Sequence, residues 1–161
     1  MSATRLPAVD GWFASGPGGP HLIGTRCTAC ATVHFPPEPR FCRNPRCAGG
    51  ELPEIPLSRR GRVWSYTDCR YPPPPPFVSP GPFVPFTLAA VELAAERIVV
   101  LGRVAPGTTT ADLSVGCEME LVEGTLPAAP APSADPAGPP APAVHTVWNW
   151  RPVPGPTGSA E

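Results

Sequence analysis

Four of the six cysteines stand in a spacing that leaves few folds open. Cys27 and Cys30 form a C-x-x-C pair, Cys42 and Cys47 form a second pair with four residues between them, and eleven residues separate the two pairs. A C-x-x-C turn sets two thiolates one ligand edge apart, and two such turns complete a tetrahedron around a metal. The intervening TVHFPPEPRF suits the short crossing between two knuckles. Asn44 and Pro45 supply turn chemistry inside the second pair, and Gly49 and Gly50 after it tolerate positive φ. The pattern predicts a zinc ribbon over residues 21–57 with a structural Zn²⁺ on Cys27, Cys30, Cys42 and Cys47.

Other readings of these thiols are weaker. An iron site would use the same four ligands, but redox iron favours Gly-rich knuckles on both sides, and Ala31 follows the first pair here. Catalytic zinc needs an open coordination position, which four thiolates do not leave. His34, between the pairs, competes as a ligand but reads as a solvated loop histidine. No stretch approaches the ~20 apolar residues of a membrane span, and MSATRLPAVDGWFASG has no apolar core behind a basic start. The expectation is a cytoplasmic chain, where disulfides are disfavoured. Cys69 and Cys117 read as strand residues, Cys117 as a small buried hydrophobe.

Proline decides the rest of the architecture. With 28 prolines and 16 glycines in 161 residues, the chain has little room for long helices. Beyond the ribbon it reads as short strands. Residues 61–70 are rich in β-branched and aromatic side chains. PFTLAAVEL and RIVVLGRV, separated by AAE, read as a hairpin, with Gly102 marking a bulge or strong coil. Residues 112–121 end in the clean alternation of Cys117, Met119 and Leu121 against Glu118 and Glu120. VHTVWNWRPV brings Trp148 and Trp150 onto one face, as barrel core or cover. Five such strands suit a small OB-type barrel over residues 58–153. The fold class is thus mainly β, a zinc ribbon followed by a five-stranded barrel. In residues 1–20 the adjacent Trp12 and Phe13 read as a short helix. Residues 124–143 read as a flexible Pro/Ala-rich insertion, and 154–161 as a disordered tail.

The runs RCTACATVHFPPEPRFCRNPRC, LSRRGRVWSYT, PFTLAAVELAAERIVVLGRV and VGCEMEL together resemble a known family. It is the rubredoxin-like zinc-ribbon/OB-fold family long catalogued as a domain of unknown function and encoded beside thiolase-superfamily enzymes. Two departures stand out. Ala31 occupies a position usually held by glycine, which should strain the first knuckle, and the second cysteine pair is spaced by four residues where two are common. The resemblance implies a non-catalytic accessory subunit of a thiolase or a thiolase-like aldolase acting on acyl-CoA esters, in sterol side-chain or fatty or aromatic acyl-CoA metabolism. It also implies that catalysis belongs to the partner, in a hetero-oligomer whose barrel docks beside the acyl-CoA channel and contacts the bound CoA ester.

The residues themselves offer candidate contacts for such a partner. Five consecutive prolines, Pro72 to Pro76, impose a polyproline II arm that carries Phe77, Phe83 and Phe86 on stiff backbone. Aromatics presented that way make interface hot spots, although Phe86 also reads as the start of a strand. Arg43 and Arg46 flank the second cysteine pair, either as a solvated basic face or as contacts for a phosphate or a partner. The rival class is a single-stranded nucleic-acid-binding module. Residues 86–126 oppose it, with two arginines against six acids. A free-standing enzyme finds no support in a P-loop, a nucleophile elbow or a paired-histidine motif.

Overall fold

The computed structural model describes residues 4–74, 81–127 and 143–154. Ten strands and one 3-10 turn make up the regular structure of these residues, the strands being β1 (Thr4–Pro7), β2 (Phe13–Gly16), β3 (Gly19–Arg26), β4 (Val33–His34), β5 (Glu54–Pro56), β6 (Arg60–Cys69), β7 (Phe86–Leu93), β8 (Ile98–Val104), β9 (Glu118–Pro127) and β10 (Ala143–Pro152). The mainly β expectation holds. No described helix is long and apolar enough to cross a membrane.

The barrel closes in the order β6-β7-β8-β10-β9, with β9 returning to β6. All its contacts are antiparallel except β8 with β10. This is the OB arrangement, in which the fifth strand inserts between the third and the fourth. Alternation explains the walls. Thr87, Ala89, Val91 and Leu93 of β7 point inward, as do Val100 and Val104 of β8 and Met119 and Leu121 of β9. Trp150 fills the centre, fully buried.

Gly102 is not a bulge, since its pairing with Ala89 continues an unbroken register. A Cβ there would come within 2.9 Å of both the Trp148 and Trp150 indoles, so glycine is required by close approach. The irregularity lies instead between Val63 and Ser65, and it turns Trp64 outward, largely exposed.

Two further expectations are corrected. Residues 112–117 are not strand: Thr109 and Asp112 form a capping box on a 3-10 turn, Thr110–Asp112, and β9 begins only at Glu118. The N-terminal segment holds no helix at Trp12 and Phe13. It forms β1, parallel to β10, and β2, antiparallel to β3. Pairing with β10 and β3 of the same chain satisfies its backbone groups.

The insertion is shorter than expected. Residues 124–127 and 143 belong to β9 and β10, which pair from Pro127 with Val144 down to Met119 with Pro152. The remainder of that insertion, 128–142, lies outside the described residues, as do 155–161 of the tail and 75–80 of the proline arm.

Ribbon and barrel share one core. Phe13, Leu22, Val33 and Leu57 cluster with Val63, Leu93, Leu121 and Trp150. Trp148 adds an aromatic seam, its ring 5.8 Å from Phe35, 6.0 Å from Phe13 and 6.3 Å from Trp12. Glu96, in the β7–β8 turn, accepts hydrogen bonds from the Ser58 N–H at 2.8 Å and the Ser58 hydroxyl at 2.9 Å. It thereby ties the barrel to the segment leaving the ribbon.

Candidate metal centre

The first knuckle leaves the end of β3, where Cys27 follows Arg26, and returns through Val33 and His34 of β4. The Ala31 N–H donates to the Cys27 carbonyl at 2.9 Å, and Ala31 adopts φ 60°, the left-handed conformation that glycine takes without cost. The strain expected at this position is therefore present. The second knuckle turns on Asn44, whose carbonyl accepts from the Cys47 N–H and whose side-chain oxygen accepts from the Arg46 N–H, both at 3.0 Å.

These turns bring the four predicted ligands together, with all four sulfurs within 4.8 Å of one another. Cys27 and Cys47 stand 3.7 Å apart, Cys30 and Cys42 3.6 Å. A tetrahedron with Zn–S bonds of about 2.3 Å has edges of about 3.8 Å, so the spacing fits.

The protonation chemistry points the same way. Hydrogen bonds with the Thr32 side chain and backbone lower the Cys30 thiol to about 6. Cys42 is pushed up to about 12: the Asn44 N–H opposes the rise, but burial and the neighbouring sulfurs outweigh it. Cys47 also rises, since the Cys30 sulfur and burial prevail over the Gly49 N–H. Four packed thiols resist carrying four negative charges, and a divalent cation removes that resistance. Cys27, Cys30, Cys42 and Cys47 would hold it as a closed, structural site.

His34 is neither a ligand nor a loose loop residue. It pairs with Thr25 in the ribbon sheet, and its Nε2 lies 3.5 Å from the Cys42 sulfur, within hydrogen-bond distance. Arg43 is committed as well. Its Nε donates to Glu38 at 2.7 Å, and Glu38 is buried and also accepts from the Arg40 N–H. These contacts, the backbone N–H first, hold the Glu38 carboxyl below its ordinary range. Arg46 stays exposed.

Phe83 and Phe86 pack edge to face with centroids 6.0 Å apart, both partly exposed, and Phe86 starts β7 outside the core. Phe77 lies outside the described residues. Sequence reading overlooked the Phe35–Trp148 seam, although Phe35 directly follows the first knuckle. It also missed Glu96, whose only signal was an acid inside an apolar hairpin.

Two family models match consecutive parts of the chain: the ChsH2 rubredoxin-like zinc ribbon domain over residues 16–53 and the ChsH2 C-terminal OB-fold domain over residues 54–123. The chain belongs to the ChsH2 zinc-ribbon/OB-fold family.

Relatives of this ChsH2-type chain include benzoylsuccinyl-CoA thiolase subunit BbsA of Thauera aromatica, 32% identical over 109 residues that make up 66% of each chain. A DUF35 domain-containing scaffold protein of Methanocaldococcus jannaschii is 33% identical over 105 residues, 63% of this chain and 66% of that protein. The matches thus span just under two thirds of these relatives' own length. Among solved structures, the Ltp2-ChsH2(DUF35) aldolase is similar with a TM-score of 0.53 at 26% identity, over 82% of this chain and 84% of that one. All four cysteines of the cluster fall within the stretch matched by the rubredoxin-like zinc ribbon domain.

Proposed function

We propose that this chain is a non-catalytic accessory subunit of a thiolase-superfamily enzyme, a thiolase or a thiolase-like aldolase, acting on acyl-CoA esters in the cytoplasm. The observation that carries the reading is the joint likeness of ribbon and barrel to a thiolase subunit and to the ChsH2 component of an aldolase. The chemistry of the chain agrees with it. Among the described residues, the tight cluster of metal-ligating side chains is four thiols suited to a closed metal site, which leaves no position for substrate. Zinc is the metal of choice for such a thiolate set with a structural role.

The partner would dock on the Phe83–Phe86 pair, with Phe77 and Arg46 as further candidate contacts. Pro82 and Pro85 restrict the backbone on either side of Phe83, so little conformational entropy is lost on association. Arg43 would serve mainly to neutralise Glu38 and only marginally at an interface. Sterol side-chain shortening, with the partner's CoA ester lying beside the barrel, is the favoured setting.

The test is to assay the partner enzyme alone, this chain alone, and both together on acyl-CoA substrates. The reading predicts turnover only in samples containing the partner, and a gain in rate or stability on adding this chain. Turnover by this chain alone would overturn it. Phe83→Ala should weaken the complex at least several-fold while leaving the chain's own melting transition near wild type. A loss of fold would instead mark Phe83 as core.

A further inference from the structure

A cleft of about 530 Å³ opens at one end of the barrel, between the Val84–Phe86 segment and the ends of β8, β9 and β10. Arg103 and Asn149 both line it, and they are direct partners across the parallel β8–β10 pair. Each carries an unmet requirement. The Arg103 guanidinium lies 4.0 Å over the Phe86 ring and forms no ion pair among the described residues. Partial burial lowers its pKa, opposed by the neighbouring Cys69. Asn149 is only 7% exposed, and its Oδ1 is buried without a hydrogen-bond partner.

The fold makes room for this arrangement. The Asn149 amide lies across Gly124, where any Cβ would overlap it. Two further charges line the cleft, Arg70 and Asp68. The Asp68 carboxylate is engaged already, accepting from the Thr87 hydroxyl at 3.0 Å and the Thr110 hydroxyl at 3.3 Å and pairing with Arg70 at 3.4 Å. Arg103 is left as the uncompensated charge, so the cleft is cationic within an otherwise acidic stretch of barrel. A phenyl ring beneath a guanidinium orients its fork and keeps the donors free at the edge. Buried polar atoms in folded proteins nearly always find partners, so an orphan acceptor beside an unpaired cation marks a place for a ligand.

We propose that this cleft binds a small anion, a phosphate ester or a carboxylate, that also carries an adjacent O–H or N–H donor. Arg103 takes the anionic group, and Asn149 Oδ1 accepts from the donor beside it. The named residues all belong to this chain, and the test uses this chain alone, although Phe86 is shared with the pair proposed for partner docking.

The test uses the full-length, zinc-loaded chain labelled with ¹⁵N and titrated with inorganic phosphate, acetate and glycerol 3-phosphate at constant ionic strength. Saturating shifts of the Arg103 Nε–H signal and of the Gly107 and Thr108 amides are expected, with glycerol 3-phosphate binding several-fold more tightly than inorganic phosphate. A response to acetate alone would assign the site to carboxylates, and a response to the phosphates alone to phosphate esters. Arg103→Met should weaken binding about tenfold or more, and Arg103→Lys, which keeps charge but loses the fork, by a smaller factor. Asn149→Ala should remove the advantage of glycerol 3-phosphate while leaving inorganic phosphate unchanged. Shifts that sodium chloride reproduces, no saturable response, or an Arg103→Lys variant that titrates like wild type would each overturn the proposal.

Discussion

Phe35 of the ribbon and Trp148 of the barrel meet edge to face, their centroids 5.8 Å apart at 83°. Phe35 follows His34, which contacts the Cys42 sulfur, and Trp148 shares with Trp150 the close approach to Gly102. Metal centre and barrel interior are thus joined through two rings. Trp148→Ala should cost about 3 kcal/mol, the lower end for loss of a large aromatic, because Trp148 is only partly buried. Val99→Ala, on the exposed outer face, should change stability by less than about 0.5 kcal/mol. Denaturant unfolding of both variants checks the contrast.

Cys42→Ser removes one corner of the sulfur tetrahedron and the sulfur that His34 contacts. Zinc content should fall from about one ion per chain to a trace, and the ribbon should unfold, since the folding energy of such modules comes largely from the metal. Metal analysis by mass spectrometry, with circular dichroism before and after chelation, reads both effects. Full zinc retention would contradict the assignment of the ligands.

Ala31 holds a left-handed φ of 60°. That conformation costs an L-residue roughly 1–2 kcal/mol, and glycine gives back about 0.4–1 kcal/mol through the unfolded chain. Ala31→Gly should therefore stabilise the protein by about 0.5–1 kcal/mol. A melting transition a few degrees higher is the expected result, and a lower one would show that the knuckle is not strained.

Glu120 closes the barrel electrostatically, accepting from the Arg151 Nε at 3.0 Å and facing Arg60 across β6. The Arg151 hydrogen bond, then the Arg151 and Arg60 charges, hold its carboxyl below the ordinary glutamate range. A depressed carboxylate contributes stability that is fully present above its unfolded pKa and is lost as pH falls through the folded one. Glu120→Gln should thus melt lower than wild type at pH 7, by about 0.5–1 kcal/mol for a partly exposed pair, and converge with it in acid. Melting curves across pH 3–7 test the convergence.

The metal centre was legible because its information is local. Cys27 and Cys30 announce a ligand pair whatever the rest of the chain does, and alternation along β7 and β9 points Ala89, Val91, Met119 and Leu121 inward. What stayed hidden depends on distant partners. Thr4–Pro7 has no pattern of its own and becomes a strand only because residues 143–146 offer it an edge. Thr109 and Asp112 carry a capping box in plain view, but the alternation that follows from Cys117 masks it. Arg43 looks like a free cation until the fold buries Glu38 beside it.

The proposed role of this chain is that of an accessory subunit of a thiolase-superfamily enzyme. Affinity purification of the tagged chain from its native host, with mass spectrometry of the eluate, tests it most directly. A thiolase-like protein recovered in stoichiometric amount is the predicted result, and it would name the acyl-CoA pathway. Recovery of nucleic acid with no such enzyme would contradict the account and favour a single-strand-binding barrel in its place.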